Sequence, residues 1–155
     1  MKIHLDIDDS LPGAEITLRG SAEDVAKLQN AILTATRQTQ KLTLSRDGRD
    51  YFVSATNVLF FESVDGKTWA HTAGEIYEIH ARLYELEQIL PPSFARVSKS
   101  SLANTTQIWS IQKNLAGPSV VKFRGSQKQI SLSRSFYKPL IERLNANNLS
   151  SERRK

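Results

Sequence analysis

The chain has 155 residues, no cysteine and a net charge of +5. That length suits one domain, or one domain with an appendage, and can bury a core without covalent staples. The missing cysteine excludes disulfides, thiolate metal sites and cysteine nucleophiles. Acids in the opening "MKIHLDIDDS" and the lack of any apolar run near the roughly 18 residues that span a bilayer lead to the expectation of a soluble cytoplasmic protein. The charge is unevenly spread. Residues 1–95 hold 9 Lys/Arg against 14 Asp/Glu, and residues 96–155 hold 12 against 2, Glu142 and Glu152. A basic second half points to a polyanion partner, since released counterions would drive binding to nucleic acid.

In chain order, "KIHLDI" alternates Ile3, Leu5 and Ile7 with polar residues, as a half-buried strand does. "AEITLRG" repeats the pattern through Ile16 and Leu18. Ser21 is placed as a helix N-cap, with Glu23 and Asp24 in the first turn. Val25, Leu28, Ile32 and Ala35 follow at helical spacing to about Gln38. Residues 1–38 thus read as a strand-strand-helix appendage.

From Lys41 strands dominate. "KLTLS" and "YFV" flank an Asp-Gly turn and predict a hairpin. "VLFFES" is short and apolar enough for burial, and a second Asp-Gly turn leads to "TWAHT", then "IYEIH". In "ARLYELEQIL", Leu83, Leu86 and Leu90 share a helical face that Pro91-Pro92 ends. "FARV", "IWSI", "SVVKF" and "QISL" read as strands. "SRSFYKPLIERLNAN" reads as a helix through Phe136, Leu140, Ile141 and Leu144, with Pro139 marking a kink or a late start. "NLSSERRK" reads as a frayed basic tail. Short strands at regular spacing indicate a mainly β core.

Catalytic and metal signatures are absent. His4, His71 and His80 are scattered, no phosphate-cradling glycine run occurs, and Asp6, Asp8 and Asp9 lack calcium-loop spacing. No enzyme activity, cofactor, metal or small-molecule substrate is expected. Phe60, Phe61, Trp69, Tyr77, Phe94 and Trp109 lie in or beside apolar strands and are expected in the core, which argues against RNA or single-strand stacking.

Three stretches in order resemble the LytTR (LytR/AlgR-type) DNA-binding domain family: "VLFFESVDGKTWAHTAGEIYEIHARLYELEQIL", "PPSFARVSKSSLANTTQIWSI" and "KQISLSRSFYKPLIERL". The pattern residues in the second are Phe94, Arg96, Ser98, Lys99, Ser100, Asn104, Ile108 and Ile111. A His often found two residues after the Arg is Ser98 here. Residues 1–38 are too short for a receiver domain, so the chain is similar to a stand-alone regulator.

The resemblance implies a row of three small antiparallel sheets with short helices over residues 41–148, following the appendage at 1–38 and preceding a tail at 149–155. It implies a sequence-specific transcription regulator that reads double-stranded DNA through loops. By family position and side-chain chemistry, the expected contacts are Lys67 and Thr68 in the first loop, and Ser98, Lys99 and Ser100 in the second. Ser133, Arg134, Ser135 and Lys138 belong to the third. Arg134 is placed to fork onto a guanine edge at a helix N-terminus. Lys122, Arg124 and Lys128 are expected to position phosphates. Asn104 is expected to tie its loop, and Arg96 either to contact DNA or to pair with Glu62 or Glu87. A homodimer on repeated half-sites and a restraining membrane-protein partner follow as implied partners. The alternative is a protein-interaction module whose basic half docks an acidic or membrane-bound partner.

Overall fold

The computed structural model describes Ser10, residues 16–38 and residues 40–152, and the chain divides into two units, residues 1–33 and 34–155. The strand expected over residues 3–7 lies outside the described residues. Ile16–Arg19 joins no strand, so alternation there does not report a sheet. The expected helix is present as α1 (Ala22–Gln38). Ser21 Oγ accepts the Asp24 amide at 3.2 Å, and Lys27 pairs with Glu23 at 2.6 Å. The N-cap bond offsets an amide that the first turn leaves without a partner.

In the larger unit, β1 (Lys41–Arg46) and β2 (Arg49–Ser54) form the first hairpin. β3 (Val58–Val64) and β4 (Lys67–Thr72) form the second. Asp47 and Gly48 have φ of 51° and 72°, and Asp65 and Gly66 have 51° and 77°. Paired left-handed residues of this kind make the two-residue turn whose twist matches antiparallel strands, which is why Asp-Gly was legible at both sites. β5 (Ile76–Ile79) leads to α2 (Leu83–Ile89), whose Leu83 and Leu86 are buried and which stops before Pro91. Then come β6 (Phe94–Ser98), β7 (Ser101–Asn104), β8 (Ile108–Gln112), β9 (Ser119–Phe123), β10 (Gln129–Leu132) and α3 (Arg134–Glu152).

Every pairing is antiparallel. By hydrogen bonding the strands form two sheets rather than three: β2-β1-β5-β4-β3-β7-β6 and β10-β9-β8. Thin seams account for the difference. β1 meets β5 at the single pair Ser45–Glu78, and β3 meets β7 over three pairs from Phe60 to Glu62. The seven-stranded sheet is thus three short antiparallel ribbons joined along two narrow seams, with the three-stranded sheet beside it.

Residues of β3 and β7 contribute to two cores. Val58, Phe61 and Leu102 belong to one, with Leu44, Leu86 and Phe94. Leu59, Phe60 and Ala103 belong to the other, with Val97, Phe123, Leu132 and Leu140 of α3. Strands buried on both faces need no alternation, so "VLFF" is apolar without a break.

Three further points differ from the sequence reading. "SLAN" is strand β7, not loop. α3 continues to Glu152, through the first five residues of the tail expected to fray; residues 153–155 lie outside the described set. Trp109 is 67% exposed, because β8 is a sheet edge with a register shift between Ile108 and Ser110. Pro139 sits in the second turn of α3, where its ring withholds the bond that an amide there would give the Ser135 carbonyl.

Two buried polar residues stand out. Asn104 is 1% exposed. Its Nδ2 donates to the Val58 carbonyl at 3.0 Å, and its Oδ1 accepts the Thr106 amide at 3.2 Å and hydroxyl at 2.7 Å. His71 lies against Phe60, with ring centroids 4.2 Å apart, and its Nε2 is 2.7 Å from Glu62 Oε1. Burial holds the His71 pKa below its ordinary 6.5, against the opposing pull of Glu62.

Asn104→Ala strands the buried Val58 carbonyl and removes the acceptor of the part-buried Thr106 amide, and urea unfolding should show a loss of about 1–3 kcal/mol. For His71 the unfolded chain takes up the proton first, so the stability that neutral His71 supports is complete above about pH 6.5 and declines as pH falls below it. Urea midpoints at several pH values on either side of 6.5 should show that decline in the wild type and a shallower one in His71→Gln.

Candidate nucleic-acid interface

Two backbone hydrogen bonds gather distant turns at one end of the sheets. The Ser63 amide donates to the Ser100 carbonyl at 2.8 Å, which sets the β3–β4 turn beside the β6–β7 turn. The Ser133 amide donates to the Val97 carbonyl at 2.9 Å, which sets the start of α3 beside the end of β6. The three expected loops thus meet, although 66 residues separate Lys67 from Ser133 in the chain.

"RVSKSSLAN" is a β-hairpin. Ser98 pairs with Ser101, so Lys99 and Ser100 form its tip. Ser98 Oγ accepts the Ser100 amide at 3.2 Å and lies 3.4 Å from Ser100 Oγ. The turn therefore interrupts strand alternation between Ser98 and Ser101, and Ser101 is buried.

Arg96 has a structural place. It forks onto Glu87, with Nε to Oε1 at 2.9 Å and Nη2 to Oε2 at 3.2 Å, and its Nη1 donates to the Lys99 carbonyl at 2.6 Å. One guanidinium thus ties α2 to the hairpin tip with charge-assisted bonds. The Lys99 ammonium stays exposed and has no side-chain partner among the described residues.

In the first turn, Lys67 is exposed and reaches toward Glu78 at 3.5 Å. Thr68 is only 6% exposed. Strand alternation turns it inward from Lys67, so it lines a cleft floor rather than offering the expected base contact. That cleft, about 270 Å³, lies between the turns and is also lined by Arg82, Arg96, Lys99 and Ser100. At the third loop, Ser133 is half-buried, whereas Arg134, Ser135 and Lys138 are exposed and their side chains have no partner among the described residues.

The sequence reading missed Arg82, Lys113 and Asn114. Arg82 precedes α2 and its amide donates to Glu85 Oε2 at 2.9 Å, while its side chain faces the 270 Å³ cleft. Lys113 and Asn114 share a smaller cleft with Arg134 and Tyr137, and the Lys113 ammonium lies 5.2 Å from the Tyr137 ring centre. Polar donors just ahead of the Gly117-Pro118 turn were the available signal. Arg124 and Lys128 are not brought to this end. Lys128 donates to the Glu75 carbonyl at 2.8 Å and Arg124 covers Trp109, both by the opposite turns.

Fold and turns define a small antiparallel β module that presents cations on its loops. Residues 48–145 match the family model of the LytTr DNA-binding domain, and the chain belongs to the LytTR family. A solved LytTr DNA-binding domain, from a Bacillus cereus protein described as a methyl-accepting/DNA response regulator, superposes with a TM-score of 0.60 at 22% identity. It covers 66% of this chain and 96% of its own. An uncharacterized HTH-type transcriptional regulator of Staphylococcus aureus strain MRSA252 is 30% identical over 100 residues, which are 63% of this chain and 66% of that protein. The corresponding regulator of strain NCTC 8325 is 29% identical over the same length. The chain thus spans just under two thirds of these relatives. The helix-turn-helix label stays with them, since five strands separate α2 from α3 here.

Arg96→Gln should speed amide hydrogen exchange at Lys99 and Ser100 measured by NMR, while costing no more than about 1 kcal/mol of global stability, because the Arg96–Glu87 pair is partly solvated.

Proposed function

We propose that this chain is a transcription regulator that binds double-stranded DNA sequence-specifically through the turn cluster. The observation that carries the reading is the convergence of exposed Lys67, Lys99 and Arg134 on three turns pinned by the Ser63–Ser100 and Val97–Ser133 backbone bonds. The strands beneath are committed to the cores, so donors for DNA have to sit on turns. Membership of a DNA-binding domain family supports the same reading.

Arg134 is the proposed base reader, since its planar fork matches guanine O6 and N7. It stands at the first position of α3, where free amide groups and the helix dipole favour a phosphate. Lys99 and Ser100, on the hairpin tip, are proposed as contacts in the neighbouring groove. Lys67, Ser98, Ser133, Ser135 and Lys138 are proposed to hold the backbone and set register. Thr68 supports the first turn from within. Arg82 and Lys113 add charge to the same end. A single module of this size touches few base pairs, so two protomers on repeated half-sites are part of the proposal. The domain division, an appendage at 1–38 and a binding domain at 41–148, is retained in it.

Fluorescence anisotropy with duplex DNA from the region upstream of the protein's own coding sequence, against a scrambled duplex, tests the reading. The native duplex should bind more tightly, and Arg134→Ala should remove about tenfold to a hundredfold of that preference. Lys67→Ala should weaken both duplexes alike and lower the slope of log affinity against log salt by about 0.9. Equal binding of both duplexes by the wild type would reduce the function to a basic surface.

A further inference from the structure

At the opposite end of β6 from Lys99, a cleft of about 750 Å³ opens between the exposed edge strand β8 and the middle of α3. Its apolar lining includes Trp109, Ile111, Ile141 and Leu144, and two guanidinium groups, Arg124 and Arg143, share it. Among the described residues no carboxylate lines it. Arg143 is partly buried, donates only to the Phe94 carbonyl at 3.3 Å, and has no ion-pair partner among the described residues. Arg124 lies 5.0 Å from the Trp109 ring centre and is likewise without a carboxylate. Elsewhere the chain pairs its partly buried arginines: Arg46 with Glu75, and Arg96 with Glu87.

We propose that this cleft binds a small organic anion, a carboxylate or phosphate carried on an apolar body. The anionic group would lie between Arg143 and Arg124, and the body would lie along Trp109 and the apolar side of α3. Three physical points favour that ligand. A guanidinium drawn partly out of water without a counter-charge is a standing electrostatic deficit that an anion fills. Burial alone pushes the Arg143 pKa down, with no acid pulling it back. The volume falls within the roughly 300–1,000 Å³ of small-molecule sites. A peptide strand laid along β8 fits less well, because the register shift at Trp109 breaks the ladder that it would have to join. The ligand would touch α3, whose first residue is Arg134, and the Pro92–Ser93 segment that leads into β6, without occupying the turn cluster.

The test uses the full chain and a matched pair of probes, 4-phenylbutyrate and its neutral amide. The two tryptophans, Trp69 and Trp109, give two indole N–H signals in a proton–nitrogen NMR spectrum, assigned with Trp109→Phe. The Trp109 signal should shift with 4-phenylbutyrate at a Kd on the order of 1 mM, as suits so small a ligand, and the Trp69 signal should stay fixed. The amide, Arg143→Gln and Arg124→Gln should each bind about tenfold more weakly. Arg124 is exposed, so its variant keeps the test decisive if Arg143→Gln fails to fold. Equal binding of the amide, unchanged binding by both variants, or no Trp109 shift at about ten times the expected Kd would overturn the proposal. None of these readouts involves DNA, so this inference and the DNA-binding reading fail separately.

Discussion

The arrangement of strands depends on Asn104. Its buried side chain closes the end of β7 by holding the buried Val58 carbonyl and the part-buried Thr106 amide and hydroxyl together. Left without these partners, the buried groups would each carry a desolvation cost, so one register of β7 against β3 is strongly preferred. That register pairs Phe61 with Leu102 and Glu62 with Ser101, and brings the Ser63 amide to the Ser100 carbonyl. A slip of one residue would send the residues that β7 gives to one core into the other. An amide at one end of the sheet therefore decides which turns stand side by side at the other.

The basic excess of the second half is divided between the two ends of the sheets, and its chemical state differs at each. At the turn cluster Arg96 is consumed internally by Glu87 and the Lys99 carbonyl, which leaves Lys99 and Arg134 facing outward. At the other end Lys128 is bound to a carbonyl of the β4–β5 turn and Ser126 Oγ meets the neighbouring Ala73 carbonyl at 3.4 Å, so the small sheet is fastened to the large one there. Net charge alone predicted an anionic partner but not which cations were available. Hydrogen bonding decides that. Arginine's planar fork serves for internal fastening and for external recognition, and only the neighbours tell the two uses apart.

The fold was legible where local chemistry and tertiary outcome coincide. Both Asp-Gly turns, the leucine face of α2 with its proline stop, and the Ser21 cap depend on nearest neighbours and appear where expected. β7 was misread because "RVSKSSLAN" is rich in hydroxyls. Its Ser101 and Asn104 are buried polar residues with strand-end roles, which composition does not distinguish from loop. Trp109 was placed in the core because its neighbours are apolar, yet alternation says only that residues share a face, not that anything covers that face. Thr68 is the converse case, a residue next to a turn that strand alternation points inward. Arg82 and Lys113 were passed over because their exposure is set by pairings far away in the chain. Each of the three turns was marked locally by glycine or hydroxyl residues. That they meet depends on two backbone bonds that no local pattern encodes.

The shared wall formed by β3 and β7 has a consequence for how this family member tolerates change. In β1 and β10 exposed and buried positions alternate, so every second site is open to polar substitution. From Val58 to Phe61, and from Ser101 to Asn104, every position is buried. There a charge introduced on either face enters one core or the other, and drift by alternate residues is closed off. The central strands are therefore the part of the fold least able to accept a polar residue, while the exposed positions of the turns they support are covered by neither core.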